Sequence, residues 1–178
     1  TRRVPSPSGG FRWDRARARG VMLPIGRSET VLEGTAEAMT AQVGYSGTPL
    51  PRKLGIGEDD EVVVVGAPDS FTDGLADQIG DEAQIHTDLA DSALFDVIIA
   101  FVTRRAELEG QLDLFRAKMA PSCGLWIAWP KQASKVPTDV TENVIREVAL
   151  PTGLVDNKVC AIDQTWSGLR LVIRRELR

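Results

Sequence analysis

The sequence predicts an α/β domain, a trimmed, doubly wound and mostly parallel sheet of about six strands that ends in an antiparallel hairpin. Three observations predict it. The runs "EVVVV" and "FDVIIAFV" have the continuous, β-branched apolar character of strands buried on both faces of a parallel sheet. Stretches between and after them carry apolar residues at spacings of three and four, the period of helices lying on such a sheet. The last two strand-like runs are separated by only a short polar turn, which an antiparallel pair can use and a parallel pair cannot.

Each element follows from local signals. "RKLGI" packs as a single helical turn before the first strand, Glu61 to Val65. A short helix follows from Phe71 to Ile79, with Ser70 or Asp69 as its cap. Ala83 to Thr87 and Phe95 to Val102 are the next strands. From about Ala106 to Ala120 a helix sets Leu108, Leu112, Phe115 and Met119 on one face, and Pro121 ends it. "GLWIAW", Gly124 to Trp129, is a strand. Asp139 and Glu142 have the spacing of a capping box and open a helix carrying Val144, Ile145 and Val148, which stops before Pro151. Leu154 to Ile162 and Leu169 to Arg175 close the sheet through "DQTWSG".

Composition limits the function classes. The chain has 178 residues, 43% hydrophobic and 26% charged, values of one globular domain, and no apolar run approaches the roughly 18 residues of a membrane span. Residues 1–38 carry seven Arg against four acids, which leaves 14 basic and 21 acidic residues in the remainder. An acidic body repels phosphate backbones, so no nucleic-acid partner is expected outside that leader. The leader has scattered Pro and Gly and no apolar period; the expectation is a disordered segment ahead of a single domain over residues 39–178, with Met39 as the real start. Its "GVMLPIG" is too short and broken for a secretory signal. Cys123 and Cys160 are far apart and lack metal-ligand spacing, so both read as buried thiols rather than a disulfide or a nucleophile. His86 is the only histidine, which excludes multi-histidine metal sites. Ser46 and Ser167 precede Gly but neither sits in a strand-to-helix elbow, so no metal and no nucleophilic triad is expected.

The order of elements in the C-terminal half resembles the class I methyltransferase fold, whose last two strands form such a hairpin. The first half departs from it, because the space between Gly66 and Phe95 admits one strand where a full methyltransferase fits two strands and two helices. "GYSGTPLPRKLGIG" and the later "WPKQASKVPTDVTENVIREVALPTGLVDNKVCAIDQTWSGLRLVIRR" resemble the small bacterial family filed as domain of unknown function three-zero-five-two. That resemblance spans Gly44 to Arg175 and implies a cytoplasmic bacterial protein with a methyltransferase-like fold; it carries over no catalytic residue.

The turn "GAPDSF" keeps only Gly66 of the glycines that let a backbone approach a dinucleotide or adenosyl group, and Pro68 removes a donor. The expectation is therefore that S-adenosylmethionine does not bind in the micromolar range. Asp88, about 20 residues on, stands where such folds place a ribose-binding acid, but one acid in an acidic domain is weak support and a solvated loop acid is the preferred reading. A ligand in an open α/β sheet sits beyond the carboxyl ends of the strands. The residues there are Asp69 and Ser70, then Thr103 and Arg104 with Arg105 beside it, then Trp129 and Lys131, then Asp163 and Trp166. Cations and indoles on one edge suit a small anionic ligand, with Trp129, Lys131 and Trp166 facing one crevice; plain surface and core are the competing reading. Two functional classes remain, and the first is the preferred reading because the missing glycines and the shortened first half argue against a conventional adenosyl site. One is a ligand-binding or regulatory module with a degraded cofactor turn, and the other is a divergent methyltransferase or other transferase acting on a small anionic substrate. A homodimer through an edge strand is a further possibility.

Overall fold

The computed structural model describes residues 47–81, 83–90 and 94–178. The leader, its boundary at Met39 and the start of "GYSGTPL" lie outside the described residues. A single turn of helix, α1 (Leu50–Leu54), precedes β1 (Glu61–Val65), α2 (Asp69–Ile79) and the short β2 (Gln84–His86). Then come β3 (Phe95–Phe101), α3 (Arg105–Ala117), β4 (Met119–Pro130), α4 (Glu142–Ala149), β5 (Leu154–Ala161) and β6 (Trp166–Ile173). The six strands form one sheet in the order β2-β1-β3-β4-β6-β5. Its first three pairings are parallel, whereas β4 with β6 and β6 with β5 are antiparallel. The fold is the predicted trimmed α/β sheet with its C-terminal hairpin.

Two cores lie on the two faces. Because side chains alternate across a strand, β1 sends Val63 to one face and Val62 and Val64 to the other. The first face is covered by α3 and α4, which bury Leu108, Leu112, Phe115, Ile145 and Ala149 against Ile98, Leu125 and Ile127. The second is covered by α1 and α2, which bury Leu54, Leu75 and Ile79 against Ile99, Trp126 and Ala128. Trp126 is fully buried, and its indole N–H donates to the carbonyl of Leu54 at 2.8 Å.

Several expected boundaries change for identifiable reasons. α3 ends at Ala117, and Pro121 lies within β4 rather than stopping the helix. The register of β3 with β4 jumps from Phe95↔Met119 to Val97↔Gly124, so residues 120–123 stand opposite Asp96 alone. Pro121, which has no N–H to give to a ladder, sits in that bulge. α2 begins at Asp69 with Pro68 as its cap residue and no side-chain cap, so neither Asp69 nor Ser70 caps it. The Asp139/Glu142 capping box does not form. Thr141 caps α4 through Val144 N–H, while Asp139 Oδ1 accepts from Arg105 N–H at 2.6 Å and caps α3 instead. Among the described residues no helix is long and apolar enough to cross a membrane.

Candidate functional site

The strand order reverses between β1, which leads to β2 on one side, and β3 on the other, so their carboxyl ends flank the crevice of the sheet. β1 leaves the sheet at Gly66, with φ +66°, where an added Cβ would stand 2.9 Å from the Phe101 carbonyl oxygen. Only glycine lets the two strand exits close on one another there. Ala67 and Pro68 complete the turn, and α2 starts at once, so its two sides border two different hollows.

The first hollow, of about 420 Å³, lies at the ends of β1 and β2 and is lined by Gly66, Ala67, Asp69, Thr72, Asp73 and Thr87. Asp88 stands beside it, its Oδ1 accepting from Ala90 N–H at 2.8 Å in a tight turn. The second is an open groove of about 770 Å³ between α1, α2 and the β5–β6 turn, lined among others by Leu50, Ser70, Phe71, Gly74, Ile162 and Asp163. An aromatic row runs beneath it. Phe71 meets Phe101 edge-on at 4.7 Å between ring centroids, and Phe101 meets Trp166 at 4.9 Å.

The structure brings together some of the residues expected at this edge. Lys131 and Trp166 share one end of the sheet, since Lys131 N–H donates to the Thr165 carbonyl at 2.8 Å. Lys131 Nζ donates to the Asp163 carbonyl at 2.5 Å, and Asp163 Oδ1 accepts from the backbones of Thr165 and Trp166, so these charged groups brace the hairpin turn. Ser70 and Asp163 line the groove, and Asp69 lines the first hollow. Trp129 does not join them. It packs on the core beneath α3 and α4, on the face opposite Trp166, because it has the parity of Leu125 and Ile127 rather than of Trp126. Thr103 turns its carbonyl to Thr138 Oγ1 at 2.8 Å and to Asp139 N–H, and exposed Arg104 precedes α3 as its cap residue. Arg105 is held by Glu109 at 2.7 Å and Glu147 at 2.9 Å, which push its pKa up, the Glu109 bond most. The three residues Trp129, Lys131 and Trp166 therefore do not face one crevice.

Both cysteines are free thiols. Burial pushes the Cys123 thiol up to about 12, and it also pushes up Cys160. Neither is poised as a thiolate nucleophile. Among the described residues no group of three or more His, Cys, Asp or Glu is placed to hold a metal.

No protein-family model matches the chain, and no curated protein matches it either. Solved structures do match. A SAM-dependent methyltransferase from Aquifex aeolicus aligns with a TM-score of 0.55 at 14% identity over 70% of this chain and 88% of its own. The N-methyltransferase NodS from Bradyrhizobium japonicum WM9 aligns with a TM-score of 0.50 at 18% identity over 71% of this chain and 93% of its own. The chain thus has a methyltransferase-like α/β fold. This corrects the expectation drawn from "GAPDSF" that S-adenosylmethionine does not bind, since the matching fold is that of a SAM-dependent enzyme. Gly66, the glycine that the turn keeps, is the position where backbone packing admits no Cβ.

Proposed function

We propose that the domain binds S-adenosylmethionine or its demethylated product in the hollow at the carboxyl ends of β1 and β2. The observation that supports this most directly is the lining of that hollow, where Gly66 and Ala67 are small and Asp69 and Asp73 supply carboxylates, with Asp88 lining the neighbouring hollow that shares Thr87. These residues fit the group. Carboxylates accept hydrogen bonds from ribose hydroxyls and attract an ammonium or sulfonium, and small residues admit a flat ring close to the chain. Asp88 follows β2, where folds of this kind hold a ribose, and Thr87 is shared between this hollow and the one beside it. When bound, S-adenosylmethionine supplies an electrophilic methyl group; the chain's part is to orient the ligand and to keep Gly66 in its turn.

A second reading, a module that binds the ligand without transferring its methyl group, is favoured by the short connection of eight residues, Thr87 to Leu94, between β2 and β3. Calorimetry with S-adenosylmethionine and S-adenosylhomocysteine tests the shared part. Saturable binding is expected, with Asp88→Asn weakening it by about tenfold, the loss of roughly one charge-assisted hydrogen bond. Absence of heat with either compound, or unchanged affinity in both Asp88→Asn and Asp73→Asn, would remove the proposal. Formation of S-adenosylhomocysteine from S-adenosylmethionine on addition of cell extract then separates the enzyme from the module.

A further inference from the structure

Of the cations expected at the carboxyl edge, Lys131 braces the hairpin turn and Arg105 is held by Glu109 and Glu147, and the fold gathers a different set on its flank. Arg52 and Lys53 from α1 and Lys158 from β5 line a hollow of about 410 Å³ together with Thr48 and Cys160. Lys158 Nζ donates to the Lys53 carbonyl at 2.6 Å, joining residues 105 positions apart, and stands 5.9 Å from the centroid of the Trp126 ring. Lys158 is thus held on a fixed stem, and Lys53 is only 9% exposed. Among the described residues neither Arg52 nor Lys158 has a carboxylate within ion-pairing reach. The chain carries 25 acidic residues against 21 basic ones, so Arg52 and Lys158, brought to one hollow with no carboxylate in ion-pairing reach of either among the described residues, stand out. Their mutual repulsion is a cost that a bound anion removes. The half-buried Cys160 thiol senses the same field: burial raises its pKa, while Lys158, Lys53 and Lys131 pull it down.

We propose that Arg52 and Lys158 form a binding site for an oxyanion, the phosphate or carboxylate group of a small ligand whose remaining body passes Thr48 into the apolar groove. Thr48 lines both hollows, so one molecule can occupy both. Arg52 offers a planar fork for two oxygens, and the Lys158 ammonium adds a point charge at its side. Phe71, Leu50 and Ile162 then meet the apolar part. The ligand differs in kind from that of the acidic hollow across α2, and its role as methyl acceptor rests on the adenosyl reading, whereas anion binding as such does not.

The test is calorimetry with pyrophosphate and, separately, citrate, at constant ionic strength and without S-adenosylmethionine. Saturable binding of at least one anion is expected, and the one that binds identifies phosphate or carboxylate as the recognised group. Arg52→Glu, an exposed change, should weaken it by at least about tenfold while leaving the S-adenosylmethionine isotherm unchanged. Lys158→Gln should weaken it as well, with the unfolding midpoint measured alongside because Lys158 also packs on Trp126. No saturable heat from either anion, or equal affinity in wild type and Arg52→Glu, overturns the site. Pyrophosphate or citrate binding without S-adenosylmethionine binding overturns the adenosyl reading and leaves this site standing.

Discussion

The two faces of the sheet are built differently. Under α3 and α4, helices of 13 and eight residues bury a continuous apolar layer, and charges seal its rim: Arg105 bridges Glu109 and Glu147, and Arg146 bridges Glu142 and Asp156. Under α1 and α2 the cover is thinner, five and 11 residues that bury Leu54, Leu75 and Ile79, and the groove, the basic hollow and the hollow at the ends of β1 and β2 each border one of these two helices. One face is closed to stabilise the sheet, and the other is left open enough to hold a ligand. Stability and binding are thus divided between opposite sides of the same strands.

The largest expected difference between the faces comes from paired aromatic truncations. Phe115→Ala removes a fully buried ring from the closed face and should cost about 3–5 kcal/mol in denaturant unfolding. Phe71→Ala, whose half-buried ring borders the groove, should cost well under that; equal losses would mean that the open face is packed as tightly as the closed one. Next in size is Asp139→Ala, which strips the cap from α3 and should cost about 1 kcal/mol, with Asp139→Asn retaining most of it. If Asp139→Ala instead loosened α4 alone in amide exchange, the cap would belong to the wrong helix. The smallest effect should have the opposite sign. Gly74 lies mid-helix in α2, half-buried, yet a Cβ there would meet nothing within 4 Å. Gly74→Ala should therefore stabilise the apo domain by about 0.5–1 kcal/mol. A destabilised Gly74→Ala would show the groove wall to be packed where the structure leaves it open.

How much of this the sequence discloses depends on how local each cause is. The strands and the hairpin were legible because β-branched runs and a short polar turn act over a few residues. Asp139 was misassigned because a cap donor can lie far away in the chain, here 34 residues earlier. Strand alternation gives Trp129 the parity of Leu125 and Ile127, but the place of Trp166 on the other face, opposite Pro130, follows only from the pairing of β4 with β6. The long β4 was not readable, since its bulge exists only in pairing with β3. The basic hollow had only a partial local trace in the adjacent Arg52 and Lys53, since Lys158 meets them only when α1 docks beside β5. The acidic hollow was half visible, as Asp69 and Asp88 flank the first turns after β1 and β2, while Thr72 and Asp73 needed the helix to turn them toward it.

An isolated helix needs about 12–15 residues to persist in water, and α1 has five, so Leu50–Leu54 keeps its shape only while docked. Its docking includes two bonds to adjacent main-chain oxygens, from the Trp126 indole to Leu54 and from the Lys158 ammonium to Lys53. Such a segment can open as a small cooperative unit while the sheet stays intact. Each opening exposes the indole proton of Trp126, and the same segment forms a wall of both the groove and the basic hollow. The exchange rate of that single proton is therefore a clock for the wall, slowed by any occupant that needs α1 in place and indifferent to one that sits on the far side of α2.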